Sequence, residues 1–502
     1  MDTTRRLRKN LSSLTFAALT PLLFASSAMA APLTPEEAIK RAAARSPELS
    51  AALAELESAS AGVRIEALAR TPILTANASG SYAESFSDTS EGATRNSNER
   101  IAADVGIQTS TTIGTRIAAG FSTSSRWQTV NRDPTTTSGV TLGPTIAAEL
   151  TFDVTQPLIR GAGESAVLAG LRIARTQERQ AELEKNLQTS QLGLTVLSAY
   201  WDLWVAERAL EVERTGFELT SRQKTDMETR VRLGASPETD LLRLSSEAAS
   251  RRQRVVDAEA ELADRQLALS RLIGISYAEA SQLTTAATPT GRPLIAELEA
   301  TLDAARVSSP ELLSLELAEE QSRERLRAAR DVASTRLDVW ANLAAGGLWT
   351  EGPPTGLSLP GDRPALSAMV GLTLELPLGD ASNDARVDQA AANLRGTTAR
   401  KQAREETLEL EVARLHRSLQ AARDAVTTAS ETAAIAKRLA EREEARIKLG
   451  TAVILDLITA QQSQRESELA MLRAQAQAER LALQLDHLTG TLLPRVAQET
   501  KP

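Results

Sequence analysis

The stretch Ile146–Gly161, Ile-Ala-Ala-Glu-Leu-Thr-Phe-Asp-Val-Thr-Gln-Pro-Leu-Ile-Arg-Gly, changes its hydrophobic period midway, and the fold turns on that change. Ile146, Ala148, Leu150, Phe152 and Val154 alternate with Ala147, Glu149, Thr151, Asp153 and Thr155, the period of a strand with one apolar face. Past Gln156 and Pro157 the alternation stops. From Glu164 to Leu233 no Pro interrupts a helical composition, and at 1.5 Å per residue such a helix is a rod on the order of 100 Å, too long for a compact domain.

The same sequence of events recurs. Leu366, Ala368, Val370, Leu372, Leu374 and Leu376 alternate with Ser367, Met369, Gly371, Thr373 and Glu375 before a second Pro-free run from Asn383 to Leu449. Ser46-Pro47-Glu48-Leu49 returns as Ser309-Pro310-Glu311-Leu312, Gln156-Pro157-Leu158 as Leu376-Pro377-Leu378, and Arg232-Leu233-Gly234 as Lys448-Leu449-Gly450. Three matches in one order make the chain a duplication. We place a first repeat at 31–290 and a second at 291–493, with a tail at 494–502.

The offset between the repeats falls ahead of Gln156, so the first repeat carries an insertion. Within it Ile101, Ala103, Val105 and Ile107 alternate, as do Ile113, Thr115, Ile117, Ala119 and Phe121, one hairpin's worth of sequence around residues 100–127. It extends a barrel or folds beside it; the sequence leaves both open. Leu74 to Tyr82 and, more faintly, Arg336 to Ala345 supply the remaining alternation, with Trp340 on the polar face. Ser85–Glu99 and Trp349–Arg363 read as surface loops. An apolar face to lipid and a polar face to water is the pattern of a transmembrane strand, although a soluble sandwich shares it. Only four segments are common to both repeats, and four strands close a very narrow barrel, whereas three chains supply about twelve. In the returning helix Leu241, Ala248, Val255, Leu262 and Leu269 recur every seven residues, a coiled-coil seam.

Composition agrees. Aromatic residues make up 3% of the 502 residues, too few for several large cores, while charged residues at 24% suit long packed helices. The absence of Cys excludes disulfides, thiolate metal sites and an acylated N-terminal cysteine. A net charge of −8 argues against nucleic-acid binding. Residues 1–30 read as a cleaved export signal, with Arg5, Arg6, Arg8 and Lys9 ahead of an apolar stretch and Ala28 and Ala30 before the cut. No later apolar run spans a bilayer as a helix, so a membrane form must be a β-barrel.

The duplicated layout, Gln156-Pro157-Leu158-Ile159-Arg160-Gly161 with its counterpart Leu376-Pro377-Leu378-Gly379, and the two Leu-Gly breaks resemble the TolC-like outer-membrane efflux proteins over nearly the whole mature chain. The resemblance implies a mainly α fold with β: a duplicated long-helix coiled-coil barrel continuous with a trimeric transmembrane β-barrel, in the outer membrane and extending into the periplasm. It implies a homotrimer serving as the exit channel of a tripartite efflux pump or type I secretion system, in contact with outer-membrane lipid, a periplasmic adaptor (membrane fusion) protein and an inner-membrane efflux or ABC transporter. It brings no cofactor and no nucleic acid.

The candidate residues lie at the helix breaks. Arg232, Leu233 and Gly234, with Lys448, Leu449 and Gly450, read as helix C-caps that reverse the chain. The resemblance adds adaptor docking at these tips. Asp240 and Asp456 each lie six residues past their Gly, where an acid favours a helix N-terminus. In the resembling channels acids at the position of Asp456 ring the entrance. The family's best-known pattern has a second acid three residues further on; that position is Thr459 here, and Arg243 in the first repeat, where it lies one helical turn from Asp240 and within pairing reach. Nothing looks catalytic or metal-binding: His416 and His487 are far apart, and Gly161-Ala162-Gly163 lacks the rest of a phosphate-binding loop. The rival readings are a periplasmic coiled-coil structural or adaptor-like protein, which leaves the alternating segments unused, and a secreted enzyme, for which no catalytic constellation exists.

Overall fold

The computed structural model describes residues 32–89, 92–131, 139–289, 296–349, 363–376, 378, 381–449, 451 and 453–492. The export signal, most of the tail, Pro377, Gly379 and Gly450 lie outside the described residues. In chain order the elements are α1 (Pro35–Ala43), α2 (Pro47–Leu68), β1 (Ile73–Thr89), β2 (Gly92–Ser110), β3 (Arg116–Asn131), β4 (Val140–Pro157), α3 (Gly163–Val167), α4 (Ala169–Arg232) and α5 (Glu238–Ile273). There follow α6 (Tyr277–Ala280), α7 (Leu298–Ser308), α8 (Pro310–Ala333), β5 (Arg336–Trp349), β6 (Arg363–Glu375), α9 (Ala381–Lys448) and α10 (Ile454–Leu488). The described residues are thus mostly helical with one sheet.

The Ser-Pro motifs start α2 and α8. Ser46 sits at the N-cap with its Oγ accepting from the Leu49 N–H at 3.2 Å, and Pro47 occupies the first turn, where its missing N–H costs nothing. Ser309 holds the same place on α8 without a side-chain cap bond. The long helices run 64 residues in α4 and 68 in α9, close to the Pro-free limits.

Among the described residues six strands form one antiparallel sheet in the order β1-β2-β3-β4-β5-β6. The inserted hairpin is therefore in the sheet, between β1 and β4, and the described residues contribute six strands where the repeats share four. Register explains the alternation. Ala76, Val105, Phe121, Leu150, Ala345 and Leu366 pair in one row across all six strands, and Leu74, Ile107, Ala119, Phe152, Leu343 and Ala368 make another. The face between carries Asn77, Asp104, Ser122 and Glu149 in one row and Ser81, Arg100 and Arg126 in another.

The loop expected at Ser85–Glu99 is mostly strand. Ser85–Thr89 pair with Gly92–Asn96, held by Ser87 Oγ against Thr94 Oγ1 at 3.0 Å and by a Glu84–Arg95 ion pair. Its residues look like loop because, Phe86 and Ala93 apart, they are polar or Gly on both faces, but strand pairing needs only backbone groups. Trp349 and Arg363 likewise end strands, and 350–362 lie outside the described residues. Trp340 breaks the alternation because it stands opposite Gly371, and a Cβ at 371 would lie 2.5 Å from its ring. The indole fills the space the glycine leaves open.

The few large aromatics gather in one belt around the middle of α4. Tyr200, Leu203 and Val196 are fully buried with Trp201 and Trp204 against α1, the end of α5 and α10. Tyr200 OH donates to the Leu33 carbonyl at 3.0 Å and accepts from the Ala287 N–H at 2.9 Å, which ties the segments before and after the first repeat's helices to α4.

The seam of α5 departs from the heptad reading. Ala248 and Leu269 are buried and Leu241, Val255 and Leu262 half-buried, but Leu244 and the guanidinium of Arg251 are buried as well. Arg251 approaches α4 over Gly216, where a Cβ would meet its Nη1 at 2.6 Å. It pairs with Glu247 at 2.8 Å; Arg254 joins Glu247 at 3.0 Å and Glu213 at 3.7 Å, and Arg465 of α10 reaches Glu213 at 2.9 Å. Glu213 is only 5% exposed. Removing one partner of a buried pair strands the other, at about 3–5 kcal/mol. Glu213→Ala is expected to lower the thermal midpoint of helix loss clearly, and Arg465→Met in the same chain to restore most of it; an unchanged midpoint in Glu213→Ala means that water already screens Arg465.

Candidate functional site

Three places along the long axis carry the features that a duct requires: the sheet, its junction with the helices, and the helix breaks. On the sheet, the polar face is the hollow one. Arg100, Asp104, Ser122, Ser124 and Glu149 line an open concavity there. Its charges are of both signs, with Asp104 held by Asn77 Nδ2 at 2.8 Å and Asp153 by Asn342 Nδ2 at 2.6 Å. The opposite face leaves Leu74, Ile101, Val105, Phe121, Leu150, Phe152, Leu343, Leu366 and Val370 exposed in this chain. A contiguous apolar field of this size marks a surface meant to be covered, by lipid or by protein.

The junction is made by the segment the alternation ran into. Leu158 N–H continues the ladder to the Leu337 carbonyl at 2.8 Å, then Gly161 and Gly163 take φ of 75° and 80°, turning the chain from strand to helix. That conformation is cheap only for glycine. Gly161 N–H donates to both oxygens of Asp331, at 3.2 and 3.1 Å. Around the turn stands a charged collar: Arg160–Glu375 at 3.2 Å, Arg336–Asp338 at 2.7 Å and Arg172–Glu324 at 3.0 Å. Gly161-Ala162-Gly163 is thus a strand-to-helix turn.

At the first helix break the C-terminus of α4 closes in a Schellman motif. Gly234 has φ 73°, its N–H donates to the Val231 carbonyl at 2.9 Å, and Ala235 N–H reaches back to Arg230 at 2.8 Å. The second break repeats the long bond, Thr451 N–H to Arg446 at 2.9 Å. Gly450 and the side chain of Lys448 lie outside the described residues. Arg232, Leu233 and Leu449 are exposed. Leu233 and Leu449 present apolar side chains to solvent at 76% and 77% exposure, so each tip offers a leucine that this chain leaves uncovered.

Asp240 and Asp456 fall at the same position of α5 and α10, the third residue of each helix, with their N–H groups bonded to the carbonyls of Pro237 at 3.2 Å and Val453 at 3.0 Å. The two breaks are brought together. Met227 and Val231 of α4, Leu241 and Leu244 of α5, Ile447 of α9 and Ile454, Leu457 and Ile458 of α10 form one apolar plug immediately behind the acids. Asp456 and Thr459 are exposed, and Thr459 spends its hydroxyl on the Leu455 carbonyl at 2.9 Å. Arg243 is exposed, and among the described residues no ion pair joins it to Asp240.

The two histidines sit apart in packing roles. His416 is 4% exposed with Nε2 3.0 Å from the Ala296 carbonyl. His487 Nδ1 lies 2.8 Å from Ser190 Oγ, and burial pushes its pKa below the usual value. Among the described residues no group of three His, Cys, Asp or Glu is placed to hold a metal, and no helix is long and apolar enough to cross a membrane. The buried Glu213–Arg465 network escaped sequence reading, since its partners lie 252 positions apart.

Residues 301–491 match the family described as outer membrane efflux protein, in agreement with the resemblance drawn from the order of the motifs over that part of the chain. None of the curated protein sequences matches the chain. Among solved structures, the chain is similar to the outer membrane protein VceC of Vibrio cholerae, with a TM-score of 0.62 and 16% identity over 91% of this chain and 96% of that one. It is similar to the CmeC outer membrane channel of Campylobacter jejuni at 0.63 and 13%, covering 93% and 89%. It is also similar to the MtrE outer membrane channel of Neisseria gonorrhoeae in its open state at 0.61 and 18%, covering 91% and 89%. At these identities the likeness is one of fold.

Proposed function

We propose that this chain, with the fold of the outer-membrane channels and an outer membrane efflux protein match over residues 301–491, is the exit channel of a tripartite efflux pump or type I secretion system. It is a channel of the outer membrane that extends into the periplasm, and not an enzyme. The observation that carries the reading is the two-faced sheet, apolar on one side and charged on the hollow side, from which the turn at Gly161 and Gly163 leads to a helix of 64 residues, while a helix of 68 residues follows the last strand in the chain. A periplasmic structural or adaptor-like coiled coil has no use for the apolar face.

Three copies form a homotrimer. The six strands of the described residues are fewer than the eight or more with which single-chain membrane barrels close, so copies join. The apolar rows face outer-membrane lipid, the polar rows the lumen, and the helices of both repeats, 31–290 and 291–493, line the periplasmic duct. Residues 1–30 are removed on export and 494–502 form a tail. The exposed Leu233 and Leu449 at the breaks, with Arg232, Gly234, Lys448 and Gly450, meet the hairpins of a periplasmic adaptor that links the duct to an inner-membrane transporter. Light scattering of the detergent-extracted protein tests the assembly: the mass is three chains, and a monomer removes the reading.

Asp240 and Asp456 line the periplasmic mouth, because threefold symmetry gathers three of each around one axis in front of the plug. Crowded carboxylates attract cations and repel anions. Single-channel recordings of Asp456→Ala, Asp240→Ala and the double variant are expected to show falling cation selectivity and weaker block by divalent and trivalent cations, with Asp456→Ala the stronger single change. Thr459 stands where the family's best-known pattern has a second acid, which leaves the ring weaker, and Arg243 offsets part of the charge of Asp240. Unchanged selectivity and block in all three variants reduces the acids to helix-start residues.

A further inference from the structure

The hairpin inserted in the first repeat has no counterpart in the second, and its place in the sheet bears on the width of the exit. We infer that β2 and β3 are part of the pore wall, so that three chains close a barrel of eighteen strands instead of the twelve that the shared strands alone supply. The inference rests on the homotrimer proposed above.

Four observations support it. First, the hairpin completes both faces. Val105 and Phe121 continue the apolar row between Ala76 and Leu150, while Asp104 and Ser122 continue the polar row between Asn77 and Glu149. A flap folded beside the barrel has no reason to keep the phase of the strands on either side.

Second, the hairpin is anchored at the helix end of the sheet. Its turn, 111–115, sits on the strand-to-helix junction, where Gly163 N–H donates to the Ile113 carbonyl at 3.0 Å. Gly114, with φ 94°, lies so close that a Cβ would meet the Gly161 carbonyl at 2.5 Å, and Thr109 Oγ1 donates to the Arg70 carbonyl at 2.9 Å where α2 passes into β1. The turn is therefore wedged between the two junctions it separates.

Third, a hairpin adds two strands, so β1 and β4 keep opposite directions whether it is present or absent, and the helices below need no change of polarity. Fourth, with six antiparallel strands the outer two, β1 and β6, also run in opposite directions. The open edge of β1 in one copy can then pair antiparallel with that of β6 in the next, and the ring closes head to tail without exposed edges. Barrel diameter grows roughly linearly with strand number, so the exit is about 1.5-fold wider than a twelve-stranded one. Barrels of about this size hold an aqueous channel, here lined by Arg100, Arg126, Asp104, Glu149 and Asp153.

Because the chain has no Cys, a single introduced thiol can be labelled cleanly. Leu150→Cys, spin-labelled in the full-length assembly in lipid nanodiscs, gives one distance between the three copies by pulsed electron spin resonance. The same label in a chain lacking residues 90–131 is expected to give a distance shorter by about one third. Equal distances in the two proteins, both with the mass of three chains, overturn the wide barrel and leave the trimer standing. A mass other than three chains removes the trimer itself. Should the shortened chain fail to assemble, paired cysteines in the full-length trimer decide: Ala76→Cys with Val105→Cys, and Phe121→Cys with Leu150→Cys, are expected to cross-link, and cross-linking of Ala76→Cys with Leu150→Cys places β1 beside β4 and overturns the inference.

Discussion

Leu150→Arg is expected to abolish assembly in the outer membrane, whereas Glu149→Arg, one residue away, is expected to leave it close to wild type. Leu150 stands at the centre of the apolar row, and an arginine at the midplane on the lipid face of a barrel costs about 2–4 kcal/mol. The cost recurs in every subunit, so a trimer carries it three times. At position 149 the same side chain points into the hollow already occupied by Arg100 and Asp104, where water solvates it. The amount of trimer in the outer-membrane fraction checks both. Equal loss in the two variants, or none in either, contradicts the assignment of the faces.

The second large effect is at the tips. Gly234→Trp combined with Gly450→Trp is expected to reduce export of the cargo at least tenfold while the trimer stays intact. In this chain a Cβ at 234 meets nothing within 4 Å, so the indole has room. The positive φ adds strain of about 1–2 kcal/mol, small against a coiled coil of this length. What the indole does reach is the space beyond the turn, beside exposed Leu233, where an adaptor hairpin docks. Export at the wild-type level with a normal trimer contradicts docking at the breaks.

How far this architecture could be read from residues depends on whether a residue's neighbours are near in the chain. The long helices were legible because an absence of Pro and a closing Leu-Gly are local signals; α4 ends at Arg232 with Gly234 in the left-handed region. Four strands were legible from their alternation, and β2 and β3 as a hairpin. The place of that hairpin was not, since alternation defines two faces of a strand and says nothing about which strand lies beside it. Ser85–Glu99 was misread as loop because above the apolar rows both faces meet water and the alternation disappears although pairing continues. Trp340 obscured its strand for want of a partner 31 residues away, Gly371, that shows itself only in the register. At the candidate site, Asp240 and Asp456 were found by their matching distance from the breaks. The plug behind them, which brings residues of four helices together, was not, because Met227 and Ile454 carry no mark of belonging to one cluster.

The measurement that tests the channel most directly is the conductance of the purified wild-type protein in a planar lipid bilayer. The account predicts discrete current steps of one size that favour cations and are blocked by trivalent cations added on the side of the helix breaks. Protein that stays in the aqueous phase, or that enters the bilayer as trimers without adding conductance, contradicts it.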